Sequence, residues 1–106
     1  IPASTFLETR AYADYEAYKK LEATAERHIS EKVNKEEVSV AKLVALNPNY
    51  WKAHYLAGRY CYERKHYKQA AEYLVQALSK EIPSQDEESL VAKYLRKSKR
   101  KLKKRL

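Results

Sequence analysis

The stretch between Pro48 and Pro83 reads NYWKAHYLAGRYCYERKHYKQAAEYLVQALSKEI and contains the one glycine in the chain. Trp51, Tyr55, Gly58 and Tyr62 form one stripe, and Tyr67, Ala70, Ala71, Leu74, Ala77 and Leu78 a second, spaced as the buried face of an α-helix requires. The polar ERKH segment between them predicts a turn. A hairpin of two helices, over 50–63 and 67–80, is expected. Glycine inside a helix costs about 1 kcal/mol relative to alanine, so Gly58 needs a packing reason. With Ala57 on one helix and Ala70 and Ala77 on the other, it would let two antiparallel helices approach closely, the large aromatics filling the ends of their groove.

The flanking sequence keeps the same period. Leu7, Ala11, Tyr15, Tyr18, Leu21, Ala25 and Ile29 form one stripe, predicting a long helix over 5–31 that opens on Thr5 with Glu8, a capping-box pattern. The pattern recurs at Asn34 with Glu37, ahead of Val38, Val40, Ala41, Val44 and Ala45. That run stops at NPN because Pro48 forbids continuation, so a second helix is expected over 35–46. Ser84 with Glu87, just after Pro83, opens a last helix over 85–104 carrying Leu90, Val91, Tyr94 and Leu95. One Gly and three Pro among 106 residues, with 44% hydrophobic residues, suit an ordered all-α chain. The length suits one domain, 1–106, built as an array of about five helices.

Residues 51–83 resemble a tetratricopeptide repeat, a helix-turn-helix unit of about 34 residues. The resemblance rests on Leu56, Gly58 and Tyr62, then Tyr67, Ala70, Leu74, Ala77 and Leu78, with Pro83 near the end. His54 stands where that family often has Trp, and Ala57 where Leu is usual. Upstream, Thr24 and Glu36 occupy places of small residues, so 1–48 reads as a long helix plus a degenerate half-repeat. The resemblance implies that neighbouring helices cover both faces of the hairpin, with 84–106 as a solvating helix whose charged extension runs beyond its packed part. It also implies a protein- or peptide-binding surface on the first helices, here Lys52, Tyr55, Arg59 and Tyr62 with Glu63 beside them. The competing reading is that these tyrosines pack against the long first helix. One variant of the family grips a C-terminal carboxylate with Lys and Asn; Tyr55 and Arg59 occupy two of those places, and that activity is not expected.

The net charge of +8 is unevenly distributed. Of 22 Lys and Arg, nine fall in 93–106, leaving 13 in 1–92 to face all 14 Asp and Glu. The body is near neutral and the basicity is local. Lys97, Arg100, Lys101, Lys104 and Arg105 could meet phosphates of nucleic acid or an anionic membrane, could contact the rest of a longer chain, or could be a solvated helix end. After Tyr94 the tail has no Asn, Gln or aromatic residue, so base-specific readout and stacking are not expected.

Nothing in the sequence reads as catalytic machinery or implies a cofactor. Cys61 has no accompanying His/Asp arrangement and reads as a small apolar packing residue. His28, His54 and His66 are too scattered for a metal site. The acids at Glu36, Glu37, Asp86, Glu87 and Glu88 sit at helix starts, where they favour the helix dipole. No apolar run approaches the roughly 18 residues of a transmembrane helix. The absence of Met implies a processed chain or a piece of a longer one. The opening IPASTFLETRAYADYEAYKK resembles the segment joining a penicillin acyltransferase-like, N-terminal-nucleophile domain to a helical tail, which implies the alternative of an appendage acting in cis on an enzyme. The leading expectation is a non-catalytic protein-interaction or scaffold module.

Overall fold

A computed structural model of the chain describes residues 10–31 and 39–105. They form five helices and no strands: α1 (Arg10–Glu31), α2 (Val40–Leu46), α3 (Trp51–Glu63), α4 (Tyr67–Leu78) and α5 (Gln85–Arg105). α3 and α4 make the most extensive pairing, α5 lies along α4, and α1 and α2 cover the opposite side of α3.

The α3–α4 seam explains the glycine. A Cβ built on Gly58 would stand 2.6 Å from Leu74 Cγ and 3.2 Å from the Ala70 carbonyl oxygen, closer than a side chain tolerates. Ala57, Ala70, Leu74 and Ala77 are completely buried beside it. Leu56 and Tyr67 are buried as well, while Leu78 is half-buried against the core. The turn between the helices closes α3 with Lys65 in the left-handed region, φ 65°. The His66 amide donates to the Cys61 carbonyl at 2.8 Å and the Lys65 amide to that of Tyr62 at 3.0 Å, the paired bonds of a Schellman ending. Glycine is the usual residue at that position. A lysine there carries a conformational cost on the order of 1 kcal/mol.

Helix starts follow local chemistry. Ser84 accepts from the Glu87 amide at 3.2 Å and donates to the Glu87 carboxylate at 2.7 Å, so the expected cap opens α5. The Thr5/Glu8 and Asn34/Glu37 patterns lie outside the described residues. The second helix nevertheless differs from expectation: Ser39 is extended, and its hydroxyl accepts from the Lys42 amide. α2 begins at Val40, where the serine hydroxyl satisfies a first-turn amide; the expected start at 35 lies outside the described residues. Its buried face also differs. Leu43 is completely buried, with Val40 and Leu46 packed partly against the core, whereas Ala41 and Ala45 are exposed. Tyr15 and Leu90, expected inward, are 50% and 38% exposed.

α5 stays docked further along than its apolar pattern suggests. Ser98 is completely buried, its hydroxyl donating to the Tyr94 carbonyl at 2.8 Å, and Leu102 lines a recess with His66–Gln69 at the start of α4. The basic run is thus one face of a packed helix and not an extension beyond the packed part. A serine can be buried this way because its one hydroxyl is satisfied within its own helix.

Candidate functional site

Among the described residues α3 alone touches all four other helices, and one of its faces carries a continuous line of rings. Tyr18 of α1 meets Tyr50 edge-on, Tyr50 meets Trp51, and Trp51 leans on Tyr55, with centroids 6.2, 6.3 and 5.8 Å apart. Arg59 continues the line. Its Nη1 donates to the Tyr55 hydroxyl at 2.9 Å, and its guanidinium carbon lies 3.9 Å from the centre of the Tyr94 ring of α5, inside the range of a cation–π contact. Tyr94 meets Tyr62 edge-on at 5.6 Å, and Tyr62 meets Tyr67 at 5.5 Å.

At the α1 end of this face Glu22 and Glu26 are both paired with lysines. Glu22 is only 5% exposed; Tyr18 donates to one carboxylate oxygen at 2.7 Å and Lys19 to the other at 3.0 Å. Burial alone would push the Glu22 carboxyl up, but the Tyr18 and Lys19 hydrogen bonds and the nearby Lys52 charge outweigh it and hold it below the ordinary carboxylate value. Burial, then the Glu22 contact, drives the Tyr18 phenol the other way, well above the usual range. Lys52 reaches Glu26 of α1 at 3.9 Å. Above these groups opens a cleft of about 430 Å³ lined by Tyr15, Tyr18, Lys19, Glu22, Asn47, Asn49 and Tyr50.

At the α5 end the charges are not answered. Lys97 and Lys93 stand 5.0 and 5.9 Å from the centre of the same Tyr94 ring that Arg59 covers. Among the described residues ion pairs form only at Lys19–Glu22 and Lys52–Glu26, so three cations share one ring with no carboxylate in contact. The Arg59 Nε, buried, has no hydrogen-bond partner.

The four residues expected to form a peptide surface are therefore divided. Lys52 belongs to the compensated end. Tyr55 is 7% exposed with its hydroxyl engaged, so it supports Arg59 from below and is not itself a contact surface. Arg59 and Tyr62 turn to α5. Of the tail residues, Lys97 is half-buried at Tyr94, Arg100, Lys101 and Lys104 are exposed, and Arg105 ends the helix with its side chain outside the described set. Tyr50 and Asn49 are not singled out by sequence, and Tyr94 is read there only as part of the apolar stripe of the last helix. The ring at 94 between Lys93 and Lys97 carries a local signal, whereas the meeting of 94 with 59 depends on how α5 docks.

Other reactive groups are absorbed by packing. Cys61 is buried, and burial pushes its thiol up to about 11, against the pull of Arg64; it stays a protonated, unreactive thiol near neutrality. His54 donates through Nε2 to the Pro48 carbonyl at 2.8 Å, tying the α2–α3 connection to α3 in the place where a tryptophan would only pack. His28 donates to the Thr24 carbonyl at 2.8 Å and meets the Tyr60 ring edge-on. Among the described residues no cluster of His, Cys, Asp and Glu could hold a metal ion, and no helix is long and apolar enough to cross a membrane. The chain matches no family model, and no curated protein or solved structure matches it.

Proposed function

We propose that the chain is a non-catalytic, tetratricopeptide-like module that binds a segment of another protein in the cleft between α1 and the α2–α3 connection. What carries this reading is that cleft itself, where Tyr50 is 38% and Tyr15 50% exposed beside the amide side chains of Asn47 and Asn49. Tyrosine offers large contact area at small conformational cost, and amides offer both donor and acceptor, the combination enriched in protein recognition surfaces. The side chains of its α1 wall are ordered by the Tyr18–Glu22 and Lys19–Glu22 bonds, and Tyr18 meets Tyr50 of the other wall edge-on, so little ordering is needed on binding. The close α3–α4 hairpin and the docked α5 support the repeat-like part of the reading.

The test is selection of extended peptides from a displayed library against the whole chain, followed by titration of the enriched sequences. Tyr50→Ala is expected to weaken their binding at least tenfold, about 1.4 kcal/mol, and Lys52→Ala by a smaller factor. Failure to enrich any peptide, or enriched peptides that bind the Tyr50→Ala variant as tightly, overturns the proposal.

A further inference from the structure

The basic helix poses a separate question, because its cations are arranged against their own stability. Lys93, Lys97 and Lys101 follow one another at four-residue intervals, as do Arg96, Arg100 and Lys104, and like charges at that spacing repel. Every Lys and Arg from Arg96 to Lys104 is exposed except Lys97, and they turn through roughly half of the helix circumference at 100° per residue. Among the described residues none of them has a carboxylate in contact. The acids of α5, Asp86, Glu87 and Glu88, are confined to its first turn.

The fold also brings cations of the near-neutral body to this helix. Arg59 joins Lys93 and Lys97 around Tyr94. The start of α4, with Lys68 exposed, lines a recess with Leu102 near the far end of α5, and Lys65 is exposed in the turn just before it. The result is a convex basic ridge about 17 Å long from residue 93 to 104, the rise of about five base pairs.

We propose that this ridge, the outward half of α5 with Lys65 of the α3–α4 turn and Lys68 at the start of α4, binds the phosphate backbone of double-stranded nucleic acid without reading its sequence. Three observations select that partner among polyanions. The apolar side of α5 (Val91, Leu95, Leu102) is turned into the body, leaving no apolar face to enter a lipid surface as a membrane-bound amphipathic helix needs. One face of Tyr94 is covered by Arg59, and Tyr62 stands edge-on to the same ring, so these rings offer no open stack for the bases of a single strand. The cations spread over half a cylinder, wider than one extended acidic peptide can follow, whereas a duplex presents two phosphate lines across a groove.

The experiment is fluorescence anisotropy of the whole chain with labelled DNA and RNA duplexes of about 20 base pairs, starting near 20 mM salt, with single strands, polyglutamate and phosphatidylserine vesicles as competitors. Neutralising about five phosphates predicts a slope of log K against log salt near −4.5. The variant combining Lys97→Gln, Arg100→Gln, Lys101→Gln and Lys104→Gln should flatten that slope by about 3 and weaken binding more than tenfold at low salt. Lys68→Gln alone should weaken it two- to fivefold, which a tail acting by itself would not do. Circular dichroism verifies that the glutamine variants keep their helices. Binding to either duplex with these losses supports the proposal. It is overturned if neither duplex binds at 20 mM salt, if the fourfold variant binds unchanged, or if polyglutamate, vesicles or single strands compete better than an unlabelled duplex.

Discussion

The two ends of the α3 face are built from the same residue types and treat charge in opposite ways. Toward α1, Glu22 is buried yet accepts from Tyr18 and Lys19, and Glu26 faces Lys52. Toward α5, Arg59, Lys93 and Lys97 crowd one tyrosine ring, and among the described residues none of the three forms an ion pair. A carboxylate taken out of water must be paired, or it destabilises the fold by several kcal/mol. Exposed lysines stay hydrated, so their mutual repulsion is a small penalty that a fold can carry. Charges at the first end thus hold the structure together, and those at the second are free to meet something else.

Both ends hang on α3 as a common rod, so the largest effect comes from breaking its seam with α4. Gly58→Val would place new carbon atoms where Leu74 and the Ala70 carbonyl already stand, and overpacking there is expected to cost about 2–3 kcal/mol. Urea denaturation would register it. Unchanged or increased stability, as helix propensity alone predicts for replacing glycine, would remove the close approach on which the fold rests.

Next in size is the loss of compensation at the α1 end. Glu22→Gln keeps an acceptor for Tyr18 but discards a charge-assisted bond from Lys19, a loss of about 1–2 kcal/mol near neutral pH. The carboxyl of Glu22 is held below its ordinary value of 4.5. Its contribution to stability is therefore complete above that value and disappears as pH falls through the lower, folded-state one. The difference in urea midpoint between the two proteins should be constant from about pH 7 to 5 and shrink on further acidification to about pH 3. A difference that grew in acid would mean that Glu22 is protonated more easily in the fold than out of it.

How much of this was legible in the sequence divides along the same line. The hairpin, its glycine, the Ser84 cap and the extents of α3 and α5 are local features, set by residues within a turn or two of one another, and their observed limits lie within a residue or two of those expected. α4 likewise begins where expected and ends two residues earlier, at Leu78. What depends on distant segments was not legible. Ala41 and Ala45 keep a helical period as well as Leu43 does, but only Leu43 meets the core. Tyr15 and Tyr55 fit an apolar stripe equally; one is half exposed and the other 7% exposed, because Tyr15 borders an open cleft while Arg59 folds over Tyr55. The meeting of Arg59 with Tyr94, thirty-five positions away, follows from how α5 lies across α3 and has no counterpart in spacing.

The smallest effect tests the uncompensated end directly and should carry the opposite sign. Arg100 is exposed and lies one helical turn from Arg96, Lys97, Lys103 and Lys104, so Arg100→Glu converts four repulsive neighbours into attractive ones. Each such pair is worth about 0.2–0.5 kcal/mol, and because these groups are in solvent the sum is discounted to about 0.5 kcal/mol of added stability at low salt. Salt of about 1 M shortens the screening distance to about 3 Å, so the gain should vanish there, with the parent chain itself becoming more stable as salt is raised. A variant less stable than its parent at low salt would mean that Arg100 already has an acidic partner in solution, and the contrast between the two ends would then be one of position only. A gain that persists in concentrated salt would assign the effect to helix propensity and leave the charge argument without support at this site.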